Sequence, residues 1–173
     1  MPFVVIVFPA MPRPLIPVLN TILFTIFVPG AVAGYIPYLL ADRFAHRASG
    51  ALEWVGIAIL AAGAAIYFRC AWEFAVRGLG TPAPIAPTKY LVTTALHRYV
   101  RNPMYLGVAT SILGEAILFR STHVAIYAAI MLTAAHIFVV LYEEPTLHRQ
   151  FGASYDEYRQ RVPRWIPQFP SQK

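Results

Sequence analysis

Arg98 and Arg101 stand three apart in the stretch HRYVRNPMYLG, ahead of Asn102, Pro103 and Tyr105 and then an apolar run. Asn followed by Pro is a helix start, with Asn as N-cap and Pro at the first helical position, where its missing N–H costs nothing. Two guanidiniums beside free backbone N–H groups and the positive end of a helix dipole can hold a carboxylate or a phosphate. The same arginines could instead anchor the chain on lipid phosphates, and this stretch by itself leaves both readings open. Further on, Glu143 and Glu144 precede Pro145 at the end of a second apolar run. Paired carboxylates there can take a cation or an ammonium group, or they can be a solvated helix end whose Pro145 begins the next helix. If the two apolar runs pack antiparallel, both clusters lie on one membrane face. A zwitterionic ligand then fits between them.

Two ionisable residues lie deeper, Glu115 on the first of these runs and His136 on the second. Such residues are costly inside a bilayer and are suspects for function. Glu115, close to Arg120, reads best as half of a structural ion pair. His136 precedes Glu143 by two helical turns and shares its face. It can line a substrate cavity, act as a base, or hydrogen-bond to Glu115 or a backbone carbonyl.

The elements that must position these residues are membrane helices. Of the 173 residues, 58% are hydrophobic and 13% charged, and the mean hydropathy of +0.55 exceeds what a soluble core of this size requires. The fold class expected is all-α, a polytopic membrane bundle. Cys70 is the single cysteine, so it permits no internal disulfide and matches no metal-ligand spacing; no metal is expected. The opening MPFVVIVFPAMPRP lacks a basic n-region and is broken by prolines, which argues against a cleaved secretory signal and for an interfacial lead-in. A pI near 9.7 is explained by membrane topology more simply than by nucleic acid, which is not expected as a partner.

Four spans are expected, at 15–40, 53–74, 103–119 and 123–142, in a single membrane domain. Pro17, Pro29, Gly30, Gly34 and Pro37 predict kinks in the first. The Ala61-Ala62-Gly63-Ala64-Ala65 run in the second suits close helix packing. Only Arg120-Ser121-Thr122 separates the last two, so they form an antiparallel hairpin. Four crossings put both termini and the segment 75–102 on one side with eleven Lys and Arg, counting Arg69 near the end of the second span, against three on the other. The positive-inside tendency assigns the richer side to the cytoplasm, in a cell or inner membrane. The proline-dense GTPAPIAP at 80–87 is expected to run extended along the surface. Beyond Pro145, Leu147, Phe151, Tyr155, Tyr158 and Val162 recur at spacings of four, four, three and four. They form one face of an amphipathic helix capping the bundle over 145–167, with Arg164 and Trp165 as an interfacial anchor. Four spans can bury a core as a monomer, and small bundles also pair.

The blocks LVTTALHRYVRNPMYLG, at 91–107, and EEPTLHRQFGASYDEYRQRVPRWIP, at 143–167, resemble the isoprenylcysteine carboxyl methyltransferase and phospholipid methyltransferase family of integral membrane enzymes. The shared features are Arg-Asn-Pro-x-Tyr, a Glu pair after the last span, and Phe-Gly-x-x-Tyr-x-x-Tyr. The resemblance covers roughly the C-terminal half and implies a methyltransferase that binds S-adenosyl-L-methionine in a cytoplasmic pocket. The cofactor-binding residues it implies are Tyr90, Leu91, Val92, His97, Arg98, Arg101, Asn102, Pro103, Tyr105, Glu143 and Glu144. Among these, Leu91 and Val92 would lie by the adenine, Arg101, Asn102, Pro103 and Tyr105 at the ligand end, and Glu143 and Glu144 near the amino group or ribose. Ala95-Leu96-His97 departs from the Gly-Pro-Tyr common in the family's bacterial members.

Methyl transfer from a sulfonium needs positioning more than a side-chain nucleophile. His136 and Glu144 are the candidate bases for an amine acceptor, a carboxylate acceptor needs none, and Arg164 can orient an anionic acceptor. A bundle open to lipid implies a lipophilic or lipid substrate. Three rival readings are a nicotinamide-dependent membrane reductase of related fold, a lipid-binding or transport protein with no catalysis, and a methyltransferase-like chain that has lost activity.

Overall fold

The computed structural model describes residues 15–41, 47–79 and 88–169. The lead-in at 1–14 and the expected extended run at 80–87 lie outside the described residues. All regular structure among the described residues is helical. Among the described residues, three helical stretches are long and apolar enough to cross a membrane: Ile16–Leu40, Ala51–Gly78 and Thr122–Phe151. The fourth expected span is present as the shorter Pro103–Leu118. Its 16 residues rise about 24 Å, short of the roughly 30 Å of hydrocarbon it would have to cross upright.

The first stretch holds α1 (Leu15–Phe27) and α2 (Ile36–Leu40), joined through a π-helical turn at Ala31–Tyr35. The chain kinks at Ala33, whose φ of −110° and ψ of 19° are not helical. Pro37 has no N–H to offer the carbonyl four residues back, which is that of Ala33. The Tyr127 hydroxyl donates to the neighbouring Val32 carbonyl at 3.0 Å, so a side chain from another helix satisfies backbone loosened by the kink.

α3 (Ala51–Glu73) and α4 (Pro103–Leu118) form the most extensive helix pair. Glycine permits it. A Cβ on Gly63 would come within 2.6 Å of the Gly107 carbonyl, and one on Gly114 within 2.9 Å of the Gly56 carbonyl. Gly56 and Gly63, like Gly107 and Gly114, are two turns apart, so each helix presents one bare stripe to the other. α4 then reverses into α5 (Thr122–Phe138) as the expected hairpin, with Arg120 at a φ of +49°. Ser121 caps α5, its hydroxyl accepting the Val124 N–H at 3.4 Å.

Two features of the last third depart from expectation. The helix does not end at Glu143-Glu144-Pro145 but continues through a π-helical turn, Val139–Glu143, into α6 (Glu144–Phe151). The tail is also not one helix. Gly152, at a φ of +52° and ψ of −128°, stops α6 and begins α7 (Ala153–Arg161). The apolar face survives the break, since Tyr155 and Val162 are buried and Leu147, Phe151 and Tyr158 half-buried.

Candidate functional site

The start of α4 and the chain after α7 are laced together. The Arg101 N–H donates to the Pro163 carbonyl at 2.9 Å and the Gln168 N–H to the Tyr99 carbonyl at 2.9 Å. Asn102 occupies the N-cap position and Pro103 the first helical position, but the Asn102 side chain makes no cap. Its amide donates instead to the Arg164 carbonyl at 3.1 Å. A residue legible as a helix start therefore also fixes a segment sixty residues downstream.

That lacing delivers Arg164 to Glu144. Arg164 grips the carboxylate with two parallel bonds, Nε to Oε1 at 2.6 Å and NH2 to Oε2 at 2.9 Å, the fork geometry that suits guanidinium and carboxylate. Arg101 donates to Oε1 at 2.9 Å and reaches the Tyr155 hydroxyl at 3.3 Å. Arg101 and Glu144 are only 12% and 13% exposed, so this pair meets in a largely dry setting. The Arg164 charge is held more firmly by its hydrogen bond to Glu144, which raises its pKa. The buried Arg101 Nε has no partner among the described residues. Buried donors are costly to leave unpaired, and an anionic ligand oxygen is a fitting partner.

Glu143 lies beside this cluster and accepts the Tyr105 hydroxyl on Oε2 at 2.9 Å. Tyr105 packs edge-on against Trp165, with ring centroids 6.4 Å apart. The Trp165 indole donates to His136 Nδ1 at 2.9 Å. An indole N–H can only donate, so neutral His136 carries its proton on Nε2. His136 is exposed on α5 and, among the described residues, bonds neither to Glu115 nor to a backbone carbonyl. Glu115, expected to pair with Arg120, has no ion pair with it among the described residues, and its Oε2 is buried without a hydrogen-bond partner.

The remaining candidates scatter. Val92 is buried against Gly78, Leu91 is half-buried and Tyr90 exposed. Arg98 turns outward over the Tyr99 ring, 4.6 Å from its centroid, and bonds the Tyr99 hydroxyl. His97 is packed edge-on against Phe74, and its carbonyl accepts the Tyr158 hydroxyl at 2.6 Å. Burial pushes the His97 imidazole down to about 4, against the opposing pull of the Glu73 charge and a Thr94 backbone bond. His97 is thus a neutral packing residue at neutral pH. Ala95 answers the other half of the Ala95-Leu96-His97 departure: it opens a 3-10 turn at a φ of +52°, a conformation that suits glycine.

Sequence reasoning missed Glu73, which is 2% exposed and pairs with Arg69 and Arg77, the latter at 3.1 Å. Thr94 donates to its Oε2 at 2.8 Å. The signal was present as Arg69, Glu73 and Arg77 at i, i+4 and i+8 on one helix. Tyr155 was also missed as a polar partner, because its place in the apolar repeat concealed the hydroxyl that meets Arg101.

Residues 52–154, more than half of the chain, match the family model described as phospholipid methyltransferase. This chain belongs to that family. A curated relative from Schizosaccharomyces pombe (strain 972 / ATCC 24843), Protein-S-isoprenylcysteine O-methyltransferase, is 34% identical over 80 residues. That alignment covers 46% of this chain and 34% of the relative, so the chain aligns with about a third of the relative's length. The matched region contains the α3–α4 pair, the Arg-Asn-Pro helix start and the Glu pair. Arg164 and Trp165, delivered by the lacing, lie beyond it.

Proposed function

We propose that this membrane protein transfers a methyl group from S-adenosyl-L-methionine to a lipophilic acceptor at the cytoplasmic face. The observation that carries the reading is the juxtaposition of an unpaired, buried Arg101 Nε with the paired carboxylates of Glu143 and Glu144. The methionine part of the cofactor carries one carboxylate and one ammonium, and this cluster presents a matched anion site and cation site. Arg101, steadied by Glu144 and Tyr155, takes the carboxylate. Glu143, oriented by Tyr105, takes the ammonium, and Leu91 and Val92 form an apolar wall for the adenine. Asn102 and Pro103 fix the helix start, while His97 and Tyr90 support the wall from behind and from the rim. Arg98 stays at the rim as a steering charge.

When bound, the cofactor supplies an electrophilic methyl on a sulfonium sulfur. The protein's task is to align an acceptor with it and keep water out. Both candidate bases are already engaged: Glu144 accepts three guanidinium bonds, and His136 accepts from Trp165 through its unprotonated nitrogen. That favours an acceptor oxygen that needs no deprotonation. With the cofactor held by Arg101 and Glu143, a carboxylate acceptor oriented by Arg164 would take the methyl as an ester, the sulfur would keep the electron pair, and there would be no proton to dispose of. The Schizosaccharomyces pombe relative is, by its name, also an O-methyltransferase. Arg164 orients the anionic acceptor with the guanidinium surface it does not spend on Glu144.

The test is transfer of labelled methyl from the cofactor by protein reconstituted in lipid, offered a prenylcysteine carboxylate or phosphatidylethanolamine. Base-labile label in the first is expected. Label in the amine alone would replace the carboxylate reading, and label in neither would remove methyl transfer to both classes. Both termini are assigned to the cytoplasm on the eleven-to-three division of Lys and Arg.

A further inference from the structure

A second Arg-Glu-Arg arrangement lies on the outside of α3, apart from the Arg101–Glu144 cluster. Arg69, Trp72, Glu73, Val76 and Arg77 line an open groove of about 520 Å³, within the roughly 300–1,000 Å³ of small-ligand sites. Glu73 forms its floor. It meets Arg69 through Oε1 and Arg77 through Oε2, and Thr94 holds it from behind. The two guanidiniums are therefore ordered, yet their side chains remain 48% and 51% exposed. The groove carries a net positive charge, two guanidiniums against one carboxylate.

Position says what such a groove meets. It lies at the end of an apolar stretch, Ala51–Gly78, long enough to cross a membrane. Trp72 is exposed on its lip, as aromatic residues are where hydrocarbon gives way to headgroups. Guanidinium forks match phosphate oxygens, and Arg pre-ordered by a buried carboxylate loses little freedom on binding. We infer that this groove holds the phosphate of an anionic phospholipid, whose acyl chains run along the apolar flank of α3 by Trp72 and Val76. The site does not depend on the methyltransferase reading.

The full-length protein, purified in mild detergent, is titrated with phosphatidylglycerol, phosphatidylcholine or inorganic phosphate and examined by native mass spectrometry and thermal melting. One tightly retained phosphatidylglycerol is expected. Its apparent affinity should fall about tenfold or more in Arg69→Gln/Arg77→Gln, which removes two charge-assisted contacts, and should be unchanged in Arg98→Gln. The single variant Arg77→Gln leaves Glu73 paired with Arg69, so it stays folded if the double variant does not, and should show a smaller loss in the same direction. Equal retention of phosphatidylcholine, undiminished retention in Arg77→Gln, or displacement of the lipid by inorganic phosphate at equal concentration would each overturn the inference.

Discussion

Among the described residues, two carboxylates are each flanked by two arginines, and they are built in opposite ways. Glu73 is gripped by Arg69 and Arg77 from one turn before and one turn after on the same helix. Glu144 is gripped by Arg101 from the start of α4 and by Arg164 from the chain beyond α7. The first requires only that a helix form. The second requires the hairpin, the lacing of 99–102 against 163–168 and the break at Gly152 all to be in place. In the first, the carboxylate is buried and the arginines face outward; in the second, Arg101 is as buried as its carboxylate. The local cluster is therefore a surface feature with an ordered floor, and the long-range one is a keystone whose central pair, Arg101 and Glu144, is largely shut off from solvent.

The largest expected effect separates the two. Glu144→Ala strands the buried Arg101 guanidinium and removes the fork partner of the one-third-exposed Arg164; it should cost about 3–5 kcal/mol, read as a fall in melting temperature. Glu73→Ala lets half-exposed arginines rehydrate and should cost about 1–2 kcal/mol, chiefly for the Thr94 hydroxyl left unpaired. Equal losses would erase the distinction.

His97 sits between the clusters, its ring on Phe74 next to Glu73 and its carbonyl on Tyr158. Its folded pKa of about 4 lies below the ordinary 6.5. Between those values the unfolded chain binds the extra proton, so stability rises with pH across this window and is lost as pH falls from about 6.5 toward 4. The loss should reach about 3 kcal/mol. His97→Phe keeps an aromatic ring on Phe74 and removes the titration, so its stability should be flatter over the same pH range; an unchanged slope would assign the acid sensitivity elsewhere.

Double-mutant cycles sharpen the comparison further. Coupling between Arg101 and Glu144 should exceed about 1 kcal/mol and persist in high salt, whereas Arg77 with Glu73 should give about 0.2–1 kcal/mol and fade with salt. The smallest effect is Ala95→Gly, which relieves a left-handed alanine at the turn leading into the cluster. It should stabilise by about 1 kcal/mol, and a destabilised variant would mean the methyl group is worth more as packing than its backbone costs.

The same contrast explains what the sequence showed. Hydropathy and proline placement were enough for the helical bundle, the hairpin at Ser121, the kink near Pro37 and the start of α4 at Pro103, because each depends on residues within a few positions of one another. The pairing of the two clusters on one face followed from antiparallel packing. What stayed hidden depends on long-range closure. Asn102 spends its side chain on Arg164 rather than on its own helix, and nothing near Asn102 announces that. Gly152 was visible as a glycine, but the apolar repeat ran through it unbroken, so the break left no mark on the periodicity. Pro145 looked like a terminus, whereas a π-helical turn carries the helix past it. Arg120 and Glu115 are close enough in sequence to pair, yet the turn at Ser121 does not join them.

The most direct test of the Arg101–Glu144 cluster as the cofactor site is calorimetric titration of the detergent-purified protein with S-adenosylhomocysteine, which binds without turnover. Binding to the wild-type protein, lost in Arg101→Ala and retained in Arg77→Gln, is the predicted result. Absence of binding by folded wild-type protein, or binding that survives Arg101→Ala unchanged, would contradict a cofactor site at this cluster.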